Sequence, residues 1–216
     1  MKKTLAILAV VAAAGIAAAP AHASQRYVSA AAGISWFQDS DINGVYQRST
    51  ATPDVISFDA GFTGVAAVGC DYGSTRAELE LGYQRNTIKD STDGKVQVYS
   101  IMANGFYDIP VGSKVELYGM AGAGVARVNL QGSHTCNYGY ERQQSVTWNY
   151  NTEETAFAYQ LGAGLAVPVS KGVMLDARYR YFATMDFTFP SQGFHSEEVR
   201  TNVSSHSVLL GLRVDI

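Results

Sequence analysis

The chain has 216 residues, with 16 lysines and arginines against 19 aspartates and glutamates, 47% apolar residues and 11% aromatic residues. This apolar content excludes a disordered chain, and the lack of a basic excess argues against nucleic acid as a partner. The 21 glycines and 13 tyrosines favour a sheet protein over a helical bundle. The length is that of one ordinary domain or a single barrel.

The first 23 residues have the features of a secretory signal peptide. Lysines at positions 2 and 3 precede an apolar run over residues 5–19, and Ala21-His22-Ala23 has the small-x-small form of a cleavage site. The run is shorter than the ~20 residues of a membrane-spanning helix. We therefore expect cleavage after Ala23 and one exported domain over residues 24–216.

Segments of alternating polar and apolar residues fill this exported domain. In the seventh segment the odd-numbered residues from Val173 to Phe187 are all apolar, whereas Asp176, Arg178 and Arg180 occupy even positions. A period of two predicts strands, because successive side chains of a strand point to opposite faces. The eight predicted strands cover residues 26–37, 55–72, 75–87, 95–109, 114–129, 155–169, 173–187 and 202–216.

The connections between these segments alternate in length. Those at residues 73–74, 110–113 and 170–172 are short, whereas those between them are longer, with the fifth spanning residues 130–154. Short periplasmic turns and longer external loops are typical of outer-membrane barrels. The sequence predicts an all-β fold, an eight-stranded antiparallel up-and-down transmembrane β-barrel, in the bacterial outer membrane.

A soluble lipocalin-like cup would show the same period of two, so the location of the charges and aromatic residues decides between them. Aromatic residues fall near the predicted strand ends of the apolar face, including Trp36, Tyr99 and Tyr159 at the loop end and Tyr107 at the turn end. Two such belts are typical of the two membrane interfaces. The other face carries charges of both signs in mid-strand, which suits a narrow lumen better than a water-facing surface.

These charges are predicted to line the barrel interior, which in an eight-stranded barrel is just wide enough to be filled by side chains. Since an unpaired buried charge is costly, we expect Glu78 and Glu80 to pair with Arg178, Arg180 or Arg213. Such a network is structural rather than catalytic. The predicted interior charge network consists of Glu78, Glu80, Asp176, Arg178, Arg180 and Arg213.

Four segments carry a family resemblance that covers nearly the whole exported domain. Residues 100–108 (SIMANGFYD), 117–124 (LYGMAGAG), 161–166 (LGAGLA) and 175–181 (LDARYRY) resemble strands of the opacity-protein and outer membrane protein A-like family of eight-stranded outer-membrane barrels. The resemblance implies a surface-exposed, non-enzymatic protein whose rigid barrel displays loops. It also implies a role in adhesion or envelope integrity.

The same family ends in an assembly signal, a glycine followed by apolar residues three and five positions later. Gly211, Val214 and Ile216 match this spacing, although isoleucine replaces the usual terminal phenylalanine. The resemblance therefore implies recognition by the barrel-assembly machinery. It places the chain among outer-membrane lipids and lipopolysaccharide.

Aromatic residues are concentrated in the predicted external loops. Aromatic side chains are efficient contact residues at interfaces, so we expect these loops to bind a host-surface or matrix ligand. The alternative is that they only cap the barrel or rest on lipid headgroups. The recognition candidates are Tyr46, Tyr138, Tyr140, Trp148, Tyr150 and Phe194.

Two competing functions are a lipid A-modifying outer-membrane enzyme and a small narrow porin. Ser204 and His206 share a predicted strand face, but no third member of a catalytic triad is identifiable. His134 and His195 lack metal-ligand spacing, so neither a metal nor another cofactor is expected. A filled lumen argues against steady conduction.

The cysteines Cys70 and Cys136 are expected to remain free thiols. The predicted topology puts them at opposite ends of the barrel, ~25 Å apart. Disulfide bonding needs Cα atoms within ~7 Å.

Overall fold

The computed structural model describes residues 25–38, 59–87, 94–112, 115–138, 144–190 and 198–216, with the backbone alone described at 132–138, 144–151, 188–190 and 198–201. In these ranges no helix has the length and apolar character to cross a bilayer. The strands are β1 (Gln25–Phe37), β2 (Gly61–Asp71), β3 (Thr75–Thr87), β4 (Lys95–Val111), β5 (Val115–Tyr138), β6 (Gln144–Ser170), β7 (Val173–Thr184), β8 (Phe187–Pro190), β9 (Glu198–Thr201) and β10 (Ser204–Asp215).

Eight of these strands close into an antiparallel barrel, in the order β1-β10-β7-β6-β5-β4-β3-β2. The first and last strands pair continuously, from Tyr27 opposite Asp215 to Phe37 opposite Ser205. Closure gives each of these strands two hydrogen-bonded neighbours, which satisfies the backbone polar groups that lipid cannot. The predicted fold class is therefore confirmed.

The apolar face of the strands lies on the outside of the barrel. Leu81, Leu161 and Leu210 are 58%, 54% and 60% exposed, whereas the neighbouring Glu80 and Gln160 are 0% exposed. Charged and amide side chains thus fill the interior and leucines cover the wall. This arrangement is inverted relative to a water-soluble protein and fits a barrel surrounded by acyl chains.

Tight turns join the strands at one end of the barrel, as the alternation of connection lengths predicts. Gly73, Gly112 and Gly172 occupy these turns with φ of 97°, 70° and 71°. Positive φ in this range is readily adopted only by glycine. In the first turn the Gly73 amide also donates a 2.7 Å hydrogen bond to the Asp71 carboxylate.

The predicted fifth loop is wrong, because most of residues 130–154 form strand. Strand β5 stays paired with β6 as far as Tyr138 opposite Gln144. Its pairing with β4 ends where Lys95 lies opposite Gln131. Residues 132–138 and 144–150 therefore form a two-stranded hairpin beyond the barrel wall, called here the β5–β6 ribbon. Serine, threonine and asparagine at alternate positions gave this segment the composition of a loop.

The predicted seventh strand is too long. Strand β7 ends at Thr184, Met185 and Asp186 are outside any strand, and Phe187 begins the β8–β9 hairpin. This break changes the phase of the alternation, so Phe187 is 9% exposed and packs in the interior instead of on the outer face. Strand β2 is also shorter than predicted, starting at Gly61. Residues 55–58 lie outside the described ranges.

Candidate functional site

Glu80 of β3 is the centre of the charged network inside the barrel. Its two carboxylate oxygens lie 3.2 Å from Arg178 Nη1 and 3.4 Å from Arg180 Nη1. The Asn104 and Gln160 side-chain amides each donate a further hydrogen bond to it, of 3.2 and 3.1 Å. Each carboxylate oxygen thus has one cationic and one neutral donor, the pairing that a fully buried charge requires.

A second cluster lies nearer the turn end and is organised by Arg76. Its guanidinium donates two hydrogen bonds to the Asp108 carboxylate, of 2.7 and 2.8 Å. Glu78 lies 3.7 Å from Arg76 Nη1 and accepts a 2.8 Å hydrogen bond from the Tyr27 hydroxyl. The Arg76 guanidinium also stacks 4.3 Å from the Phe106 ring centre. Glu78 therefore has a partner on its own strand rather than an arginine of β7 or β10.

Tyr118 links Asp176 to Arg178, both on β7. Its hydroxyl donates to Asp176 at 2.8 Å and accepts from Arg178 Nε at 3.2 Å. Arg213 of β10 lies farther toward the turn end, where its Nη2 is 2.8 Å from Glu116. All six predicted interior charges thus line the lumen, but they fall into connected clusters of different depth.

Residues that the sequence analysis left out supply many of the contacts. Arg76 occupies the same alternate positions of β3 as Glu78 and Glu80, so the period of two could have placed it inside. The same reasoning applies to the polar positions of β4. The omitted partners are Tyr27, Arg76, Asn104, Asp108, Glu116, Tyr118 and Gln160.

The loop end of the lumen is apolar along β4 to β7, which differs from the predicted polar interior, whereas β1, β3 and β10 contribute a buried polar cluster there of Ser35, Gln84, Asn86 and Ser205. Here the inward positions of β4 to β7 carry valine, alanine, methionine and phenylalanine instead of charges. Two cavities inside the wall each have a volume of about 10 Å³, enough for one water molecule. In the part of the barrel that the structure describes, side chains thus fill both the charged middle of the lumen and its loop end. The apolar cluster consists of Phe37, Val96, Val98, Met102, Ala126, Val128, Ala156, Ala158, Phe182 and Phe187.

Three of the predicted recognition residues share one face of the β5–β6 ribbon. Tyr138 pairs with Gln144, Trp148 with His134, and Tyr150 with Gly132, all at even-numbered positions. Alternate positions of a strand lie on opposite faces, so this set is continuous with the lumen-facing residues of β5 and β6. Tyr46, Tyr140 and Phe194 lie outside the described residues.

Gly211 and Val214 of the assembly signal lie in the last part of β10, and Ile216 follows its final residue, Asp215. Gly211 is opposite Ala31, and a Cβ atom there would overlap the Ala30 carbonyl and the Ala31 side chain. Ile216 is 73% exposed at the outer surface. Gly211 therefore has a packing role, which is separate from the recognition role that the family resemblance implies.

The serine and histidine considered for catalysis have different hydrogen-bond partners. The Ser204 hydroxyl donates to the Gln38 side chain at 2.9 Å, and His206 Nδ1 lies 2.6 Å from the Tyr179 hydroxyl. Neither contact joins serine to histidine. Among the described residues, no group of three His, Cys, Asp or Glu side chains is placed to hold a metal. Cys70 is a free thiol, and the Cys136 side chain lies outside the described part.

Comparison with known proteins identifies the family. Residues 6–214 match the model of the outer membrane protein β-barrel domain. The chain belongs to this family. Outer membrane protein PagN of Salmonella typhimurium is 23% identical over 199 residues, which is 81% of this chain and 79% of PagN. A candidate adhesin of Rickettsia conorii is 25% identical over 213 residues, which is 89% of this chain and 83% of that protein.

Solved structures of outer-membrane proteins share the architecture. Neisserial surface protein A has a TM-score of 0.58 and 20% identity, with 90% of this chain and 100% of that one covered. A major outer membrane protein of Thermus thermophilus has a TM-score of 0.53 and 13% identity, with 90% and 100% covered. Family membership locates this barrel in the bacterial outer membrane, with its short turns in the periplasm and the β5–β6 ribbon outside the cell.

Proposed function

We propose that this protein is a non-catalytic, adhesin-like barrel that presents the β5–β6 ribbon to a host-surface or matrix ligand. The observation that carries the proposal is a long hairpin with aromatic residues along one face, projecting from a barrel whose lumen is filled. The relationship to a candidate adhesin supports it. The outer-membrane location of proteins in this family also supports the proposal.

The filled lumen supports a scaffold role. The Glu80 and Arg76 clusters tie β3 to β4, β6 and β7 through side chains that are 0 to 6% exposed. Buried ion pairs of opposite charge favour one packing of the barrel, and the apolar cluster packs along β4 to β7 at the loop end above them. A rigid wall keeps the external hairpin in a fixed position, which lowers the entropy lost on binding.

The even-numbered face of the ribbon has the chemistry of a contact surface. Trp148, Tyr150 and Tyr138 share it with Val146 and His134. Tryptophan and tyrosine are the residues most often found at binding hot spots, since they bury large area with few rotatable bonds. A two-stranded hairpin places such residues on one face, where they can contact a partner together.

The test is adhesion of whole cells that carry the double variant Trp148→Ser, Tyr138→Ser. Binding to cultured host cells and to immobilised matrix proteins is expected to fall at least tenfold, since hot-spot truncations cost about 2 kcal/mol or more. The matched control is Ser145→Ala with Asn137→Ala, a pair on the opposite face. Surface abundance is equalised by antibody labelling of intact cells.

Unchanged adhesion of the aromatic double variant would contradict the proposal. If a deletion strain adheres normally but becomes sensitive to bile salts or detergent, the role is envelope integrity instead. A change in lipid A mass on addition of the purified protein would establish the enzymatic alternative.

A further inference from the structure

Beyond the barrel wall, one edge of strand β6 has no paired neighbour in the part of the chain that the structure describes. Pairing of β6 with β7 ends where Ala158 lies opposite Thr184. There the chain turns away from β6: the Thr184 amide donates to the Val203 carbonyl, and Phe187 packs inside the lumen. Strand β8 lies near β6 but is paired with β9. Over residues 144–155, β6 is therefore paired on the side of β5 alone among the described residues.

The backbone groups on this edge belong to the odd-numbered residues of β6. The Phe157 carbonyl accepts a 2.8 Å hydrogen bond from the Met185 amide, so odd positions of β6 direct their amide and carbonyl groups toward β7. Hydrogen-bonded and non-bonded pairs alternate along an antiparallel strand, so even positions bond to β5 instead. Beyond Phe157 the odd positions form a row of donors and acceptors at strand spacing, called here the β6 edge. It consists of Ser145, Thr147, Asn149, Asn151, Glu153 and Thr155.

The outer part of the β6 edge lacks the features that protect exposed strands from pairing with another chain. Natural proteins protect such edges with lysines and other charged residues, with prolines or with bulges. Residues 144–152 contain no proline, lysine, arginine, aspartate or glutamate. Their register with β5 is unbroken, from Thr152 opposite Leu130 to Gln144 opposite Tyr138. A row of backbone groups at this spacing is complementary to one kind of partner, an extended polypeptide backbone.

The other edge of the ribbon, on β5, is shorter. Odd-numbered pairs of β5 and β6 exchange no backbone hydrogen bonds, so the odd residues of β5 direct these groups to the side of β4. Strand β4 begins at Lys95, opposite Gln131, which leaves Ser133, Thr135 and Asn137 on this edge. Three positions offer an added strand fewer main-chain hydrogen bonds than the six of the β6 edge.

We propose that an extended segment of a protein ligand adds to the ribbon as a further strand along the β6 edge. This inference rests on the proposed function and specifies the adhesion ligand as a polypeptide. In this mode of recognition, main-chain hydrogen bonds supply affinity and alternate side chains supply selectivity. Alternate residues of the added strand lie beside the even-numbered positions 148 and 150, a tryptophan and a tyrosine. The expected segment therefore alternates apolar with uncharged polar residues.

A second copy of this chain in the same membrane is a poorer partner for the β6 edge. Both ribbons would point out of the membrane, so two β6 strands placed side by side would run in the same direction. Antiparallel pairing would need β6 of one copy against the shorter β5 edge of the other. Such a head-to-tail contact does not close in a pair. A ligand outside the membrane can approach the β6 edge in either direction.

Two threonines at the same height allow the two edges to be tested separately. Thr147 on the β6 edge lies opposite Thr135 on the β5 edge. Proline at either position removes an amide donor from one edge without removing a hydrogen bond between β5 and β6. The variant is Thr147→Pro, and the matched control is Thr135→Pro. A second pair, Thr147→Lys and Thr135→Lys, adds a charge at each edge and leaves the backbone unchanged.

The measurement is adhesion of whole cells to cultured host cells and to immobilised matrix proteins, at equal surface abundance. Adhesion of Thr147→Pro is expected to fall about fivefold or more, because the proline ring removes a donor and obstructs the approaching strand. Thr147→Lys is expected to change adhesion in the same direction, whereas both Thr135 variants adhere like the unmodified protein. Slow amide hydrogen exchange at Val146 and Trp148, which bond to β5, verifies that the ribbon stays paired in each variant.

Normal adhesion of both Thr147 variants would overturn the inference, as would equal losses in the Thr135 and Thr147 variants. If the aromatic double variant Trp148→Ser, Tyr138→Ser still loses adhesion in those cases, the proposed function stands and strand addition alone is rejected. Adhesion that survives protease treatment of the host surface but not removal of its glycans would also reject a polypeptide ligand. Clumping of unmodified cells that is lost in Thr147→Pro would assign the β6 edge to a second copy on a neighbouring cell instead.

Discussion

At the scale of single residues, Glu80 is the centre of the interior charge network. It is 0% exposed and is contacted by two arginines and two amides from β4, β6 and β7. Removing one partner of a buried pair leaves the other charge without compensation, which costs more than the pair itself contributes. Glu80 therefore joins β3 and β4 to partners on β6 and β7 that lie 80 to 100 residues away from it in sequence.

We expect Glu80→Ala to destabilise the barrel by about 3–5 kcal/mol, because Arg178 and Arg180 lose their shared carboxylate. The measurement is the free energy of unfolding in urea in the presence of detergent micelles. The matched control is Glu153→Ala, which removes a carboxylate from an exposed ion pair with Arg127. Such surface pairs contribute at most about 1 kcal/mol.

Equal destabilisation by the two variants would mean that water reaches Glu80 and that the interior is not sealed. Arg178→Ala is expected to behave like Glu80→Ala, since it leaves the same carboxylate short of a cation and removes the contact with Tyr118. Its unfolding transition gives an independent measure of the same network.

Alternation in the sequence puts the charges of β3 and of β7 on one face of each strand, but it does not predict which of them meet. Arg178 and Arg180 lie 98 and 100 residues from Glu80. Such contacts depend on the stagger of strands around the closed barrel, which no local pattern contains. Glu78 illustrates this limit, because its ion pair is with Arg76 two residues away and not with a distant arginine.

At the scale of elements, the β5–β6 ribbon is an addition to the barrel rather than part of its wall. Strand β4 begins at Lys95, opposite Gln131, so beyond this point β5 and β6 pair only with each other among the residues that the structure describes. Its sequence has the alternation of a strand, but with polar residues on one face and aromatic ones on the other. Glycine and histidine interrupt the apolar face, at Gly132 and His134. The segment therefore has the amino-acid composition of a loop, although its residues alternate as in a strand.

We expect the barrel to fold without the ribbon. The variant replaces residues 133–149 by an Asn-Gly turn between Gly132 and Tyr150, which lie opposite each other. Its unfolding free energy in detergent is expected to lie within about 1 kcal/mol of the unmodified protein, because the network and the apolar cluster are untouched. Absence of a heat-dependent gel shift in this variant would show that the ribbon is needed for closure.

At the scale of the whole molecule, the lumen has two chemically different levels. Charged side chains occupy the middle and the turn end, whereas the loop end combines an apolar cluster that includes Phe37, Phe182 and Phe187 with buried serine, glutamine and asparagine side chains. An ion would have to pass both the close-packed side chains of the loop end and the charged network below them. The closed architecture and strand order were predictable from segment count and connection lengths, whereas the division of the lumen into two levels was not.

We expect no steady ion conductance from the purified protein in planar lipid bilayers. The companion variant Phe182→Ala tests whether the apolar cluster alone blocks ions, because it removes a 2% exposed ring from that cluster. Since the charged layer stays in place, this variant is also expected to be silent. Regular current steps from the unmodified protein would support the narrow-porin alternative.

Trp36 and Trp148, the 2 tryptophans of the chain, lie on parts of the molecule with different surroundings. Trp36 is 43% exposed on the outer wall near the loop end of β1, whereas position 148 is on the ribbon. Two quenchers should therefore distinguish the fluorescence of the two residues. Brominated acyl chains are expected to quench Trp36, and iodide in the water phase is expected to quench Trp148. Replacing either one by phenylalanine leaves a single emitter, so insertion of the barrel and occupancy of the ribbon can be followed independently in the same preparation.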